Sequence, residues 1–181
     1  GGALHAHAAA DFTTSSTRVL KKDAALGFAL LADMLQHPAF HKQEFERVRT
    51  QILGEIVSDD DDPGNVAMKA FHQLIFHGHP YSWPAHGTEE TLNKITVADI
   101  QQFHAREYLP NQTILVIVGD LTQDQAAALV QTHFGSWKKG PPSPYQIKKP
   151  ASIERKMVQL IEKDLTQSTI VLGHTGISRT N

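Results

Sequence analysis

Gln43-Glu-Phe-Glu-Arg-Val-Arg-Thr-Gln-Ile-Leu-Gly-Glu-Ile-Val-Ser58 is the stretch on which the reading of this chain turns. Phe45, Val48, Ile52 and Ile56 recur at spacings of three and four, the period of an α-helix with one buried stripe. At about 100° per residue, Glu55 falls within roughly 20° of Val48, at the edge of that stripe and turned partly inward. A carboxylate so placed must meet a cation, a hydrogen-bond network or water. Position alone leaves two readings open: a boundary Glu whose head reaches solvent, or a functional carboxylate.

Helical patterns continue on both sides. Upstream, Asp23 is expected to cap Ala24 to Leu35, where Leu26, Leu30, Leu31, Met34 and Leu35 form a broad apolar face that ends at His37-Pro38. Before it, Leu4 to Ala8 and the Thr/Ser-rich run to Val19-Leu20 suggest an edge hairpin. Downstream, Asp59 to Asp62 with Pro63-Gly64 suggest a turn, followed by a helix from Asn65 to about Phe76 that buries Val66, Phe71, Leu74 and Ile75. Tyr81 to Gly87 reads as an ordered loop whose course Pro and Gly fix. Thr88 caps a short helix over Glu89 to Lys94, Thr96 with Asp99 caps Val97 to Tyr108, and Thr122 caps Gln123 to Phe134. Thr113 to Val118 has the composition of a buried central strand, and 156–162 and 168–172 alternate like two more strands.

These elements mix helix and strand across 181 residues, enough for one domain or one domain and a stub. Residues 139–152, rich in Pro, Gly and Lys, read as a linker between a first domain at 1–138 and the opening of a second at 153–181. A formal charge of −2 offers no basic stripe, which argues against a nucleic-acid partner. The apolar runs are too short for a transmembrane segment. The absence of Cys removes disulfides, thiolate metal sites and cysteine nucleophiles. Gly1-Gly2-Ala3 opens the chain without Met and looks like a processed or truncated end.

Eleven His make metal binding the first chemistry to test. His5 and His7 would share one face of a strand, and Gly78 would let His77 and His79 converge, yet neither pair has an obvious third ligand. Surface or helix-end His is the default reading for both. The consecutive Asp59 to Asp62 lack the spaced ligands of a calcium loop and read as a solvated turn. No nucleophile elbow, phosphate loop or dinucleotide fingerprint occurs.

Several short motifs in order resemble one family. Gly1-Gly2-Ala3-Leu4-His5-Ala6 is similar to a Gly-Gly-x-x-Asn-Ala edge strand. Leu30-Leu31-Ala-Asp-Met-Leu35 with His37-Pro38-Ala39-Phe40 resembles the segment that follows that strand. Phe45-Glu46-Arg47 through Gly54-Glu55-Ile56 resembles the helix carrying a distant zinc ligand. Asp62-Pro63, Gly78-His79-Pro80-Tyr81, Gly87-Thr88, Thr96-x-x-Asp99, Tyr108-x-Pro110 and Val116-Ile-Val-Gly119-Asp120 continue the match. Together they resemble the pitrilysin/insulinase family of zinc metallopeptidases, which includes the mitochondrial processing peptidases.

The resemblance implies an α/β (α+β) two-layer sandwich, a mostly antiparallel sheet with helices on one face, duplicated along the chain. It implies a zinc metalloendopeptidase for peptides and unfolded protein segments, with Glu55 as the third metal ligand. The family's inverted H-x-x-E-H motif, which supplies the other ligands and the general base, is absent from these residues and would lie upstream of Gly1. Zinc is therefore implied only with that motif, and this chain alone would be inactive. Substrate peptides would bind by strand addition along Leu4, His5, Ala6 and His7. A second homologous domain or subunit is the implied partner, and the periplasm or cell envelope the implied location, with the cytoplasm as alternative. Val48 replaces a family Glu, His5 the edge-strand Asn and Ala8 a Thr. These departures suit the alternative, a non-catalytic family member that pairs with an active one.

Overall fold

Six helices and one two-stranded antiparallel sheet form the described part of the protein, a mixed α+β arrangement as expected. The computed structural model describes residues 1–141 and 149–177, in two units: Gly1–Phe45 with Thr96–Pro144, and Glu46–Ile95 with Tyr145–Asn181. Of the expected linker, residues 142–148 lie outside the described residues, as do residues 178–181 at the end of the expected second domain.

In the first unit β1 (Ala3–Ala8) pairs antiparallel with β2 (Thr13–Arg18), in a register that sets Ala3 opposite Arg18 and Ala8 opposite Thr13. The connection closes when the Ala9 amide donates to the Phe12 carbonyl at 2.8 Å. Helix α1 (Ala24–Gln36) packs on β2 with Gly27, Leu31 and Ala32 buried. Gly27 permits that approach, since a Cβ there would lie 2.8 Å from Val19 Cγ2. The expected broad face of α1 is narrower in fact, because Leu26 and Leu30 remain exposed beside the buried Gly27–Leu31 line. Asp23 also differs from expectation. It belongs to a 3-10 turn (Lys21–Asp23) and makes no side-chain cap hydrogen bond to α1.

Thr96 and Thr122 do cap their helices. Each accepts a backbone N–H through its hydroxyl, from Asp99 into α5 (Val97–Glu107) and from Gln125 into α6 (Gln123–Phe134). Helix α6 packs against α1, and Gln36 Nε2 donates to the His133 carbonyl at 2.9 Å. His104 on α5 donates through Nε2 to the Leu35 carbonyl at 2.8 Å and stacks on Tyr108. The run 113–118 forms no strand. Ile114 is 89% and Val118 93% exposed. A buried central strand needs a ladder on each side and cover on each face, and none of the described strands pairs with it. Sequence pattern supplies β propensity there, but not partners.

Helix α2 (Lys42–Asp61), which belongs to the second unit from Glu46 onward, is longer than expected, and α3 (Pro63–Ile75) starts at once after it. Pro63-Gly64 is thus the first turn of α3 and not a separate turn. Pro63 needs no amide partner at that position, and Asp62 Oδ1 accepts the Asn65 amide at 2.8 Å. Acidic residues at a helix C-terminus oppose its dipole. Here Asp59 accepts from Asn65 Nδ2 at 3.1 Å, Lys69 pairs with Asp60 at 3.0 Å, and Lys163 caps the Asp60 carbonyl. These partners offset the repulsion and let the helix run on through Asp61.

Ile56 is the buried member of the α2 stripe, whereas Val48 is 41% exposed. The neighbouring Arg49 takes the inward place instead: its side chain is 18% exposed, and its guanidinium reaches Glu46 and the Ile95 carbonyl. On α3, Ala70 and Ile75 are buried. A 3-10 turn (Pro80–Ser82) leads into the loop before α4 (Glu89–Lys94), which Thr88 caps reciprocally with Thr91. The two strands expected at 156–162 and 168–172 carry no ladder, and Val158, Ile170 and Leu172 stay exposed for the same lack of partners. No described helix is long and apolar enough to cross a membrane.

Candidate functional site

Glu55 stands on the fourth turn of α2, one residue before the buried Ile56, so the helix fixes its Cα while the carboxylate reaches outward. Its side chain is 43% exposed, an intermediate position as the periodicity implied. Oε1 accepts a hydrogen bond from Gln51 Nε2 at 3.0 Å, one turn back on the same helix. Oε2 faces His86 Nδ1 at 3.8 Å. His86 is the residue sequence reading missed. It lies far along the chain in the Tyr81–Gly87 loop, and no spacing rule links a loop His to a helical Glu.

Beside this pair, a cleft of about 230 Å³ opens between the end of α2, α3 and the loop. Ile56, Met68 and Pro84 give it apolar walls, His72 and His86 polar ones, and Trp83 lies at the loop side. The loop is held by a series of short hydrogen bonds. Tyr81 N–H donates to His79 Nδ1 at 3.1 Å, Ser82 Oγ to the His79 carbonyl at 2.7 Å, and Gly87 N–H to the Pro84 carbonyl at 2.9 Å. Gly87 takes φ +72°, the left-handed conformation that turns the loop into the Thr88 cap.

The other sequence candidates sit apart from one another. His5 and His7 share a face of β1 and are exposed, as is Leu4. Ala6 lies between them, opposite Ser15. The second edge of β1 carries no partner among the described residues. His77 and His79 do not converge: His77 is exposed, whereas His79 is 6% exposed and packs between Phe76 and Tyr81. Its Nδ1 is an acceptor in the loop, a structural task. Asp59, Asp60 and Asp62 spend their carboxylates on helix ends.

Residues 1–89 match the family profile described as Insulinase (Peptidase family M16), and residues 94–181 the one described as Peptidase M16 inactive domain. The chain belongs to the pitrilysin/insulinase (M16) family. This M16 chain is similar to an uncharacterized zinc protease of Mycobacterium leprae, 33% identical over 136 residues, which is 75% of this chain and 31% of that protein. It is also similar to cytochrome b-c1 complex subunit 1 of Bos taurus mitochondria, 28% identical over 134 residues, 74% of this chain and 28% of that protein. Among crystal structures, a peptidase M16 inactive domain from Pseudomonas fluorescens matches with a TM-score of 0.77 at 25% identity, over 83% of this chain and 37% of that one. The chain spans about a third of the length of the curated relatives it matches.

Zinc is the metal named for M16 relatives of this kind. Among the described residues no three His, Asp or Glu side chains converge, so these residues do not build a zinc centre by themselves. A catalytic zinc site takes three protein ligands and an open position. Glu55 fits one of those places. It is a half-exposed carboxylate without a Lys or Arg ion pair among the described residues, so its charge is not already spent.

Proposed function

We propose that this M16 chain is part of a zinc-dependent metalloendopeptidase that cuts peptides and unfolded protein segments, with Glu55 as its carboxylate ligand. The observation that carries the reading is the Glu55 carboxylate itself, fixed on a helix and without a Lys or Arg ion pair among the described residues. Zinc bound at such a site supplies a Lewis acid for the scissile carbonyl and an acidified water. Within this chain Glu55 holds the charge that anchors it, and β1 offers Leu4, His5, Ala6 and His7 along an edge where an extended peptide can add as a strand. Backbone pairing of that kind accepts varied sequences, which suits an enzyme of unfolded segments.

One experiment tests it: zinc content and peptide cleavage of the whole gene product that carries these residues. About one zinc per chain, lost in Glu55→Gln together with cleavage, is the expected result. A protein without zinc, or a Glu55→Gln variant that keeps it, overturns the reading.

A second reading has its own support. Val48 stands where the resemblance places a Glu, residues 94–181 match an inactive-domain profile, and the Pseudomonas fluorescens structure carries the same description. In that reading the protein is a non-catalytic member that binds substrate and pairs with an active zinc peptidase. It expects no zinc and no cleavage from the isolated protein, and cleavage that gains from its addition to the active partner.

A further inference from the structure

We propose that His86, aided by Gln51, is a positioning residue that holds the Glu55 carboxylate in one orientation toward the metal. The inference rests on Glu55 being a ligand and adds what the ligand needs. A Glu side chain has three rotatable bonds, and one that is 43% exposed has room to swing between rotamers. Each of its two oxygens here faces a different neighbour. Gln51 Nε2 donates to Oε1 at 3.0 Å, and His86 Nδ1 faces Oε2 at 3.8 Å. That second distance is longer than a hydrogen bond, so the contact is a polar approach in which the imidazole stands beside Oε2 and limits the swing of the carboxylate from that side.

The two neighbours differ in what they can fix. Gln51 rides on the same helix as Glu55 and is itself exposed, so alone it would move with the side chain it steers. His86 comes from another element and has only two rotatable bonds. Its backbone is pinned on both sides, by the Gly87–Pro84 hydrogen bond and by the Thr88–Thr91 cap that follows. The positive φ of Gly87 is what brings the loop round at this point. A helix partner and a loop partner thus define a direction that neither defines alone. Groups that orient a metal ligand from outside the coordination sphere typically change metal affinity about 10- to 100-fold when removed.

The test uses the whole gene product and reads zinc affinity by competition with a chromogenic chelator. His86→Leu removes the polar nitrogen, while His86→Asn keeps a polar amide close to the Nδ1 position. The expected result is about a 10- to 100-fold weaker zinc affinity for His86→Leu, recovery to within about threefold for His86→Asn, and equal melting temperatures of the metal-free proteins. Unchanged affinity in His86→Leu overturns the proposal. So does an equal loss in both variants, which would make the imidazole a ligand or a part of the loop's folding.

A zinc-free readout separates this proposal from the one beneath it. In protein labelled at Glu carboxyl carbons, the Glu55 signal is assigned by its loss in Glu55→Gln. It should shift in His86→Leu and stay close to wild type in His86→Asn. An unmoved signal refutes the contact whatever the metal content. A shifted signal in a protein that binds no zinc supports the positioning role and refutes only the ligand assignment.

Discussion

Gly27→Ala should destabilise the protein even though alanine is the better helix former. In a helix interior, Gly to Ala gains about 1 kcal/mol. Here the new Cβ would lie 2.8 Å from Val19 Cγ2 and 3.3 Å from Val19 Cγ1. Real carbon contacts sit near 3.5–4.0 Å. Val19 is β-branched and stiff at χ1, so it cannot rotate away as a long side chain would. Overpacking of this kind costs about 1–3 kcal/mol. The balance is a net loss of about 0–2 kcal/mol, against a gain of about 1 kcal/mol where no neighbour interferes.

Gly54 is the internal control. It lies within α2, and a Cβ built there meets nothing within 4 Å. Urea denaturation of the two variants should therefore show midpoint shifts of opposite sign, Gly54→Ala up and Gly27→Ala down. The double variant Val19→Ala/Gly27→Ala should recover the helix gain relative to Val19→Ala, with a coupling of about 1–3 kcal/mol. A Gly27→Ala variant as stabilised as Gly54→Ala would refute the close approach of α1 to the residue after β2.

Two further outcomes follow from the caps and the loop. The Asp99 carboxyl is held below its ordinary 3.8 by hydrogen bonds from the Thr96 side chain and then the Thr96 backbone. A depressed carboxyl stabilises the fold above its unfolded value and loses that contribution as pH falls through the folded one. Melting temperature should accordingly drop below about pH 4 more steeply in wild type than in Asp99→Asn, and parallel curves would count against the linkage. His79→Phe keeps the aromatic packing but removes the hydrogen bond from the Tyr81 amide to His79 Nδ1, at a cost of about 0.5–1.5 kcal/mol. Thermal melting checks that one, and a change below about 0.5 kcal/mol would mean that the amide finds another partner.

Helix chemistry is local, and the sequence carried three of the caps, though not Asp62, and it assigned to Asp23 one that is not made. The three threonine caps lie where hydroxyl, spacing and apolar run coincide, because a cap needs only the residues three positions away. The hairpin is legible for a similar reason, since alternation and a short polar break are local features. Asp62 marks the limit of that reasoning. The same acidic run suits a turn or a helix end, and only Lys69, Asn65 and Lys163 beside it decide for the helix.

What pattern alone could not decide is whatever depends on a neighbour distant in sequence. Residues 113–118 read as a central strand from composition, but a strand is a relation between chains of hydrogen bonds and needs a partner to exist. Glu55 was visible as a boundary carboxylate, because helical angle is fixed by residue number. Its neighbour was not. His86 reaches it through a loop turned by a left-handed glycine and anchored by the buried His79, a course set by packing and hydrogen bonds rather than by spacing. The sequence thus determined which residue carries the charge, and the tertiary structure decided what stands opposite it.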